Sequence, residues 1–193
     1  MVSLVRPHSS LVQRGASMIE VLVTMVIIAF GLLGMTGLQM RLQISEMESY
    51  QRTQALLLLN DMANRIAVNR TATVAGSYLV APAGPLGAGM TCPTTTGTQA
   101  QRDLNEWCNA LQGAAETATG GAKTGAMVGG RGCVERVGSD YLVTVAWQGL
   151  TPIAAPPGSV TCGANSYNAS AGSPCVNDLC RRVVTTLVRI ATL

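Results

Sequence analysis

The chain has 193 residues, which leaves room for one modest globular domain once a long apolar segment is set aside. Its formal charge is +3, but Arg6 and Arg14 precede the apolar segment and the remainder is close to neutral, so there is no general case for nucleic-acid binding. The single histidine, His8, also precedes that segment. Histidine-based triads are thereby excluded downstream of it, and no metal-ligand cluster or poised nucleophile motif stands there, so neither an enzyme nor a cofactor is expected.

Residues 1–15 contain Pro7, Ser9 and Ser10 and show no helical or apolar pattern. Residues 15–38 follow as GASMIEVLVTMVIIAFGLLGMTGL, apolar from Met18 onward except for a few small or hydroxyl residues and one acid, Glu20. About 20 apolar residues can cross a bilayer as a helix. A carboxylate in such a run is costly without a partner and a purpose. Arg6 and Arg14 lie before the run and no basic residue follows until Arg41, which orients the N-terminus to the cytoplasm and the rest of the chain to the far side. An ordinary secretory signal would put roughly 7–15 apolar residues before its cleavage site. Here the apolar stretch comes after the only suitable junction.

That junction resembles the class III signal of type IV prepilins: Gly15, then Ala16, with Glu20 as the fifth residue after the glycine. The resemblance implies cleavage between Gly15 and Ala16 by the prepilin peptidase and N-methylation of Ala16. It also implies retention of the apolar helix, first as inner-membrane anchor and later as filament core. Glu20 is then the assembly residue. Its carboxylate can pair with the terminal ammonium of a neighbouring subunit where water cannot reach either charge.

Residues 16–69 contain no proline and read as one helix, about 80 Å long at 1.5 Å per residue. Residues 16–38 form its membrane half. Residues 39–69 are amphipathic, with Ala55, Leu59, Met62, Ala63 and Ile66 at helical spacing on one face. Gly31, Gly34 and Gly37 suit either close helix packing in a membrane or local unwinding. Residues 70–193 form the head. Residues 70–98 are a Thr/Ala/Gly/Pro loop with one short strand expected around Ser77–Ala81. Residues 99–112 form a short helix, capped by Thr98 and Gln101, with Leu104, Trp107, Cys108 and Leu111 on one face and Gly113 at its end.

Residues 113–132 are glycine-rich and are expected to be flexible. Gly121-Ala122-Lys123-Thr124 lacks the spacing of a phosphate loop. Two strands follow, Cys133–Val137 and Tyr141–Gln148, joined by Gly138-Ser139-Asp140. Residues 149–180 are a loop, and Arg181–Ala191 is a last strand with Val184, Thr186, Val188 and Ile190 on one face. The fold class is α+β, the helix lying on one face of a small antiparallel sheet.

Six cysteines, Cys92, Cys108, Cys133, Cys162, Cys175 and Cys180, all follow the apolar segment. An even count in an exported domain points to disulfides. Nearest-neighbour pairing gives Cys92–Cys108, Cys133–Cys162 and Cys175–Cys180, one of about 15 connectivities that six cysteines allow. No C-x-x-C pair points to zinc.

The resemblance extends to the head. GASMIEVLV, YLVTVAWQGL and the closing RRVVTTLVRIATL together resemble the PilV family of minor pilins, the type IV pilus modification proteins. The type IV pilin fold is implied, as is a role in priming pilus assembly, with a place at the pilus tip compatible with it. The implied partners are other minor pilins, the major pilin and a tip adhesin. A minor pseudopilin of a type II secretion system shares the leader and helix and is the alternative. An adhesive or DNA-binding tip subunit is a further one, but no residue in the loops names a nucleic-acid or small-molecule ligand.

Overall fold

The computed structural model describes residues 17–114, 117–120, 123, 125, 127–170 and 172–190. Two compact units divide the chain, Met1–Gln43 and Ile44–Leu193. Helix α1 runs Met18–Val68 without interruption. The carbonyl of Ser17 accepts its first hydrogen bonds, from the amides of Glu20 and Val21. Asn69, with φ −97° and ψ 61°, breaks α1 and leads into α2, Arg70–Val74.

Within the second unit, α1 buries Gln51, Ala55, Leu59, Met62 and Ile66. Steps of three and four residues align them on one stripe. The stripe faces a four-stranded antiparallel sheet, ordered β1 (Leu86–Gly87), β2 (Arg131–Val137), β3 (Asp140–Gln148) and β4 (Arg181–Val188). The register pairs Val134 with Val143, Tyr141 with Val188 and Val145 with Val184. Val134, Tyr141, Val143, Val145, Trp147 and Val188 therefore meet the helix stripe in one core. Each large apolar side chain buried there contributes about 1.5–3 kcal/mol. The hydroxyl of Thr73, fully buried, donates to the carbonyls of Ile66 and Asn69, and Tyr141 donates to the Thr73 carbonyl at 2.5 Å. Those bonds fasten α2 to the sheet.

Helix α3, Gln99–Leu111, has the capping box read from Thr98 and Gln101: each side chain bonds the other residue's backbone amide. Gly113, at φ +88°, closes the helix: its amide donates to Ala110 and that of Ala114 to Asn109, a reciprocal pair that satisfies the last carbonyls. The buried face holds Trp107, Cys108 and Leu111, and also Asp103.

Several details depart from the sequence expectation: residues 70–74 form α2 where the sequence reads as loop, and the last strand, expected over Arg181–Ala191, ends at Val188. Around Ser77–Ala81 there is a single bridge, Val80 to Val134, and the paired strand is β1, further along. Pro82 has no amide to extend a ladder, and the Tyr78 side chain turns into the core. Strand β2 starts at Arg131, two residues before Cys133. Thr144 and Ala146 of β3 are buried although they face away from α1, because the 149–180 loop covers them. Of the stretch expected to be flexible, residues 115–116, 121–122, 124 and 126 lie outside the described residues.

Gly132 sits under Trp107. A Cβ there would lie 2.2 Å from the indole Cη2 atom, inside any tolerable contact. The Trp107 indole nitrogen donates to the Leu58 carbonyl at 2.9 Å, so the ring is held between α1 and β2 and cannot move aside freely. Gly132→Ala should cost about 1–3 kcal/mol or more by overpacking. Denaturant unfolding of the full chain in detergent measures this; an unchanged midpoint would show that the ring has room.

Candidate functional site

The first unit is described from residue 17 onward. Its side chains from Met18 to Met40 are exposed, among them Ile19, Leu22, Ile27, Phe30 and Leu33. An 18-residue window of α1 has a mean hydropathy of 2.4 and none of it is buried. By length and composition this segment can cross a membrane; Met18–Leu38 alone is about 30 Å long as a helix. Thr24 and Thr36 donate their hydroxyls back to the carbonyls of Val21 and Leu33, at 2.9 and 2.8 Å. Their polar groups are thus satisfied within the helix, as a hydrocarbon environment requires. The helix continues through Gly31, Gly34 and Gly37, and a Cβ at any of them would meet nothing within 4 Å.

Glu20 lies in the first turn of α1, where a carboxylate is favoured by the exposed amides of the helix start. Among the described residues it has no hydrogen-bonded or ion-paired partner through its side chain. Gly15 and Ala16, the expected cleavage junction and methylation site, lie outside the described residues.

In the second unit three disulfides join Cys92–Cys108, Cys133–Cys162 and Cys175–Cys180. The pairing is sequential. The first ties the loop before α3 to its buried face. The second ties β2 to the 149–180 loop across the outer sheet face, and the third closes a short loop just ahead of β4. Four of the six cysteines, Cys108, Cys133, Cys162 and Cys180, are fully buried.

Two charged clusters complete the head. Arg65 of α1 bonds Asp61 at 2.9 Å and, on α3, Asp103 at 2.9 Å and Glu106 at 2.7 Å. The buried Asp103 also accepts from Gln99 at 2.8 Å and, through a short bond, from the Tyr78 hydroxyl. Burial pushes the Asp103 carboxyl up, but the bonds from Tyr78, Gln99 and Arg65 outweigh it and hold its pKa below the ordinary value. Burial, reinforced by the bond to Asp103, pushes Tyr78 up to about 12. The second cluster joins α1 to the long loop: Glu48 accepts from the amides of Leu150 and Thr151 and from Arg182 at 3.2 Å. Beyond it, the buried Arg181 holds the loop from inside, donating to Asp178 and to the carbonyls of Val160 and Cys162.

Neither charged cluster was singled out from the sequence. Asp103 sits three or four residues from Gln99, Trp107 and Glu106 on a short helix, which marks a face but not its partner on α1. Among the described residues no group of three or more His, Cys, Asp or Glu is placed to hold a metal ion. No family model, curated protein or solved structure matches this chain.

The Asp103 network predicts a two-sided pH dependence. A depressed carboxyl pKa contributes stability above its unfolded value near 3.9, lost as pH falls through the folded value. A raised tyrosine pKa contributes stability below about 10, lost as pH climbs toward 12. Asp103→Asn should lower stability at pH 7 by about 1–3 kcal/mol and flatten its decline below pH 4. Denaturant midpoints measured across pH would check this; parallel curves for the two proteins would show that Asp103 does not carry the acid limb.

Proposed function

We propose that this chain is a minor pilin of a type IV pilus, a subunit that joins other minor pilins in the inner membrane and primes polymerisation of the major pilin. The observation that supports it is the single helix Met18–Val68. Its start is apolar on every side with one acid in the first turn, and its later turns form the spine of a disulfide-bearing antiparallel head. The N-terminus is cytoplasmic, the head is periplasmic, and after assembly the subunit belongs to the pilus. No catalytic role is assigned.

In this reading the prepilin peptidase removes residues 1–15 and exposes the ammonium of Ala16, which is then methylated. Glu20 supplies the countercharge, from its own or an adjacent subunit. An ammonium left alone in an apolar filament core would cost several kcal/mol, on the scale of losing one half of a buried ion pair.

Intact-mass analysis of the protein from sheared pili should find it shortened by its first 15 residues, methylated, and three disulfides more oxidised than the reduced chain. A full-length chain confined to membranes would refute the proposal. Gly15→Leu should block processing. Glu20→Ala should be processed and reach the membrane normally, but its level in sheared pili should fall well below wild type; equal incorporation would remove the docking pair from the mechanism. Deletion should abolish piliation. Loss of protein secretion with intact pili would instead identify a pseudopilin of a type II secretion system.

A further inference from the structure

The guanidinium of Arg131 is built into the head in a way that the pilus reading does not use. Arg131 opens β2, opposite Gly87 of β1 and Ala146 of β3. Its guanidinium carbon stacks 5.0 Å from the centroid of the Tyr167 ring, and its Nη1 donates to the Gly129 carbonyl at 3.2 Å. Tyr167 is buried and donates its own hydroxyl to that same carbonyl at 2.9 Å. The charged group is therefore held in place by a ring and a carbonyl.

Among the described residues, no carboxylate forms an ion pair with it. Of the other basic side chains withdrawn from solvent in the head, Arg65, Arg181 and Arg182 each have an acid. A half-buried cation with no countercharge carries a desolvation cost that a bound anion would offset.

Arg131 also lines a cavity of about 270 Å³, together with Gly84, Pro85, Ala88, Met90 and Ser166. Gly89 leaves the Nη2 side open: a Cβ there would stand 3.5 Å from that nitrogen. The cavity thus offers a preorganised guanidinium, one side-chain hydroxyl and small apolar walls.

We propose that this cavity binds the carboxylate of a small molecule, with Arg131 as the charged donor and Ser166 as a second donor. A guanidinium presents parallel N–H groups that match the two oxygens of a carboxylate. Its single charge balances a monoanion. A phosphate dianion would bring a second negative charge against Pro85, Ala88 and Met90 with no second cation to meet it.

The test is a titration of the ¹⁵N-labelled full chain, in uncharged detergent micelles, with sodium acetate, sodium phosphate and sodium chloride at matched ionic strength. Acetate should produce saturable shifts at the Gly89 and Ser166 amides and at the Arg131 Nε–H, with phosphate weaker and chloride inert. Arg131→Gln should weaken acetate binding about tenfold or more, as expected for loss of a charged hydrogen bond. Gly84→Leu provides a control for folding, because Gly84 has open space beyond its Cβ position. It should fill the cavity and abolish the acetate response while leaving the melting temperature unchanged. A non-saturating response shared with chloride, an unaltered response in Gly84→Leu, or tighter binding of phosphate than of acetate would each overturn the proposal.

Discussion

The head depends on one stripe of α1. Ala55, Leu59, Met62 and Ile66 are the surface on which the sheet is laid, and Trp107 reaches the same helix through its bond to the Leu58 carbonyl. The sheet supplies few strands, and β1 is only two residues long. A sheet with one apolar face must bury that face against another element, and here that element is α1. Deleting methylenes from Met62 or Ile66 would therefore act on both layers at once, losing transfer energy and leaving a cavity that neither layer can close. Upstream, the same helix follows a different rule. From Met18 to Leu38 apolar side chains occupy all faces, and the threonines among them turn their hydroxyls back to the helix carbonyls. The change from a uniform to a striped pattern within one proline-free helix suits a first half able to cross a membrane and a second half that packs on a sheet.

The opposite face of the sheet is organised by covalent and ionic ties rather than by a second helix. The described residues of 149–180 contain no helix or strand, yet they bury Cys162 and Tyr167 and cover Thr144 and Ala146. A loop of that length without secondary structure is unusual in a compact domain unless something holds it. Here Cys133–Cys162 ties it to β2, Glu48 holds its start, and Arg181 gathers its later carbonyls from inside. In a chain-entropy account each bridge contributes about 2–4 kcal/mol by restricting the unfolded chain. The ions add position more than net energy, since burying Arg181 and Asp178 together costs much of what their attraction returns.

Legibility in the sequence followed the range of the interaction. The helix Met18–Val68, the capped helix Gln99–Leu111 and the hairpin from Arg131 to Gln148 rest on local signals: proline-free periodicity, Thr98 with Gln101, and alternation about a Gly-Ser turn. The three disulfides join cysteines that are consecutive in the chain, 16, 29 and 5 residues apart. Leu86–Gly87 was illegible, because a two-residue strand has no period and exists only through its register with Gly132 and Arg131. Arg65 with Asp103, and Glu48 with Arg182, pair across 38 and 134 residues, and no local pattern links the members. The burial of Thr144 and Ala146 could not be read either. Alternation names two faces of a strand, but it does not say that a distant loop will cover the second.

Glu135 shows the cost of enclosing a carboxylate oxygen without a donor. It shares the outer face of β2 with Cys133, and its Oε2 is enclosed without a hydrogen-bonding partner, as is the Thr144 hydroxyl nearby on β3. Burial alone pushes the Glu135 carboxyl up. Folding therefore favours its protonated form. Its unfavourable contribution is smallest below the unfolded carboxylate range and grows as pH rises through that range. Asp103 has the opposite sign because three donors converge on its carboxylate and outweigh the same desolvation. The two acids differ in what surrounds them: Asp103 receives donors from Arg65, Tyr78 and Gln99, whereas the enclosed Glu135 oxygen on β2 meets none among the described residues.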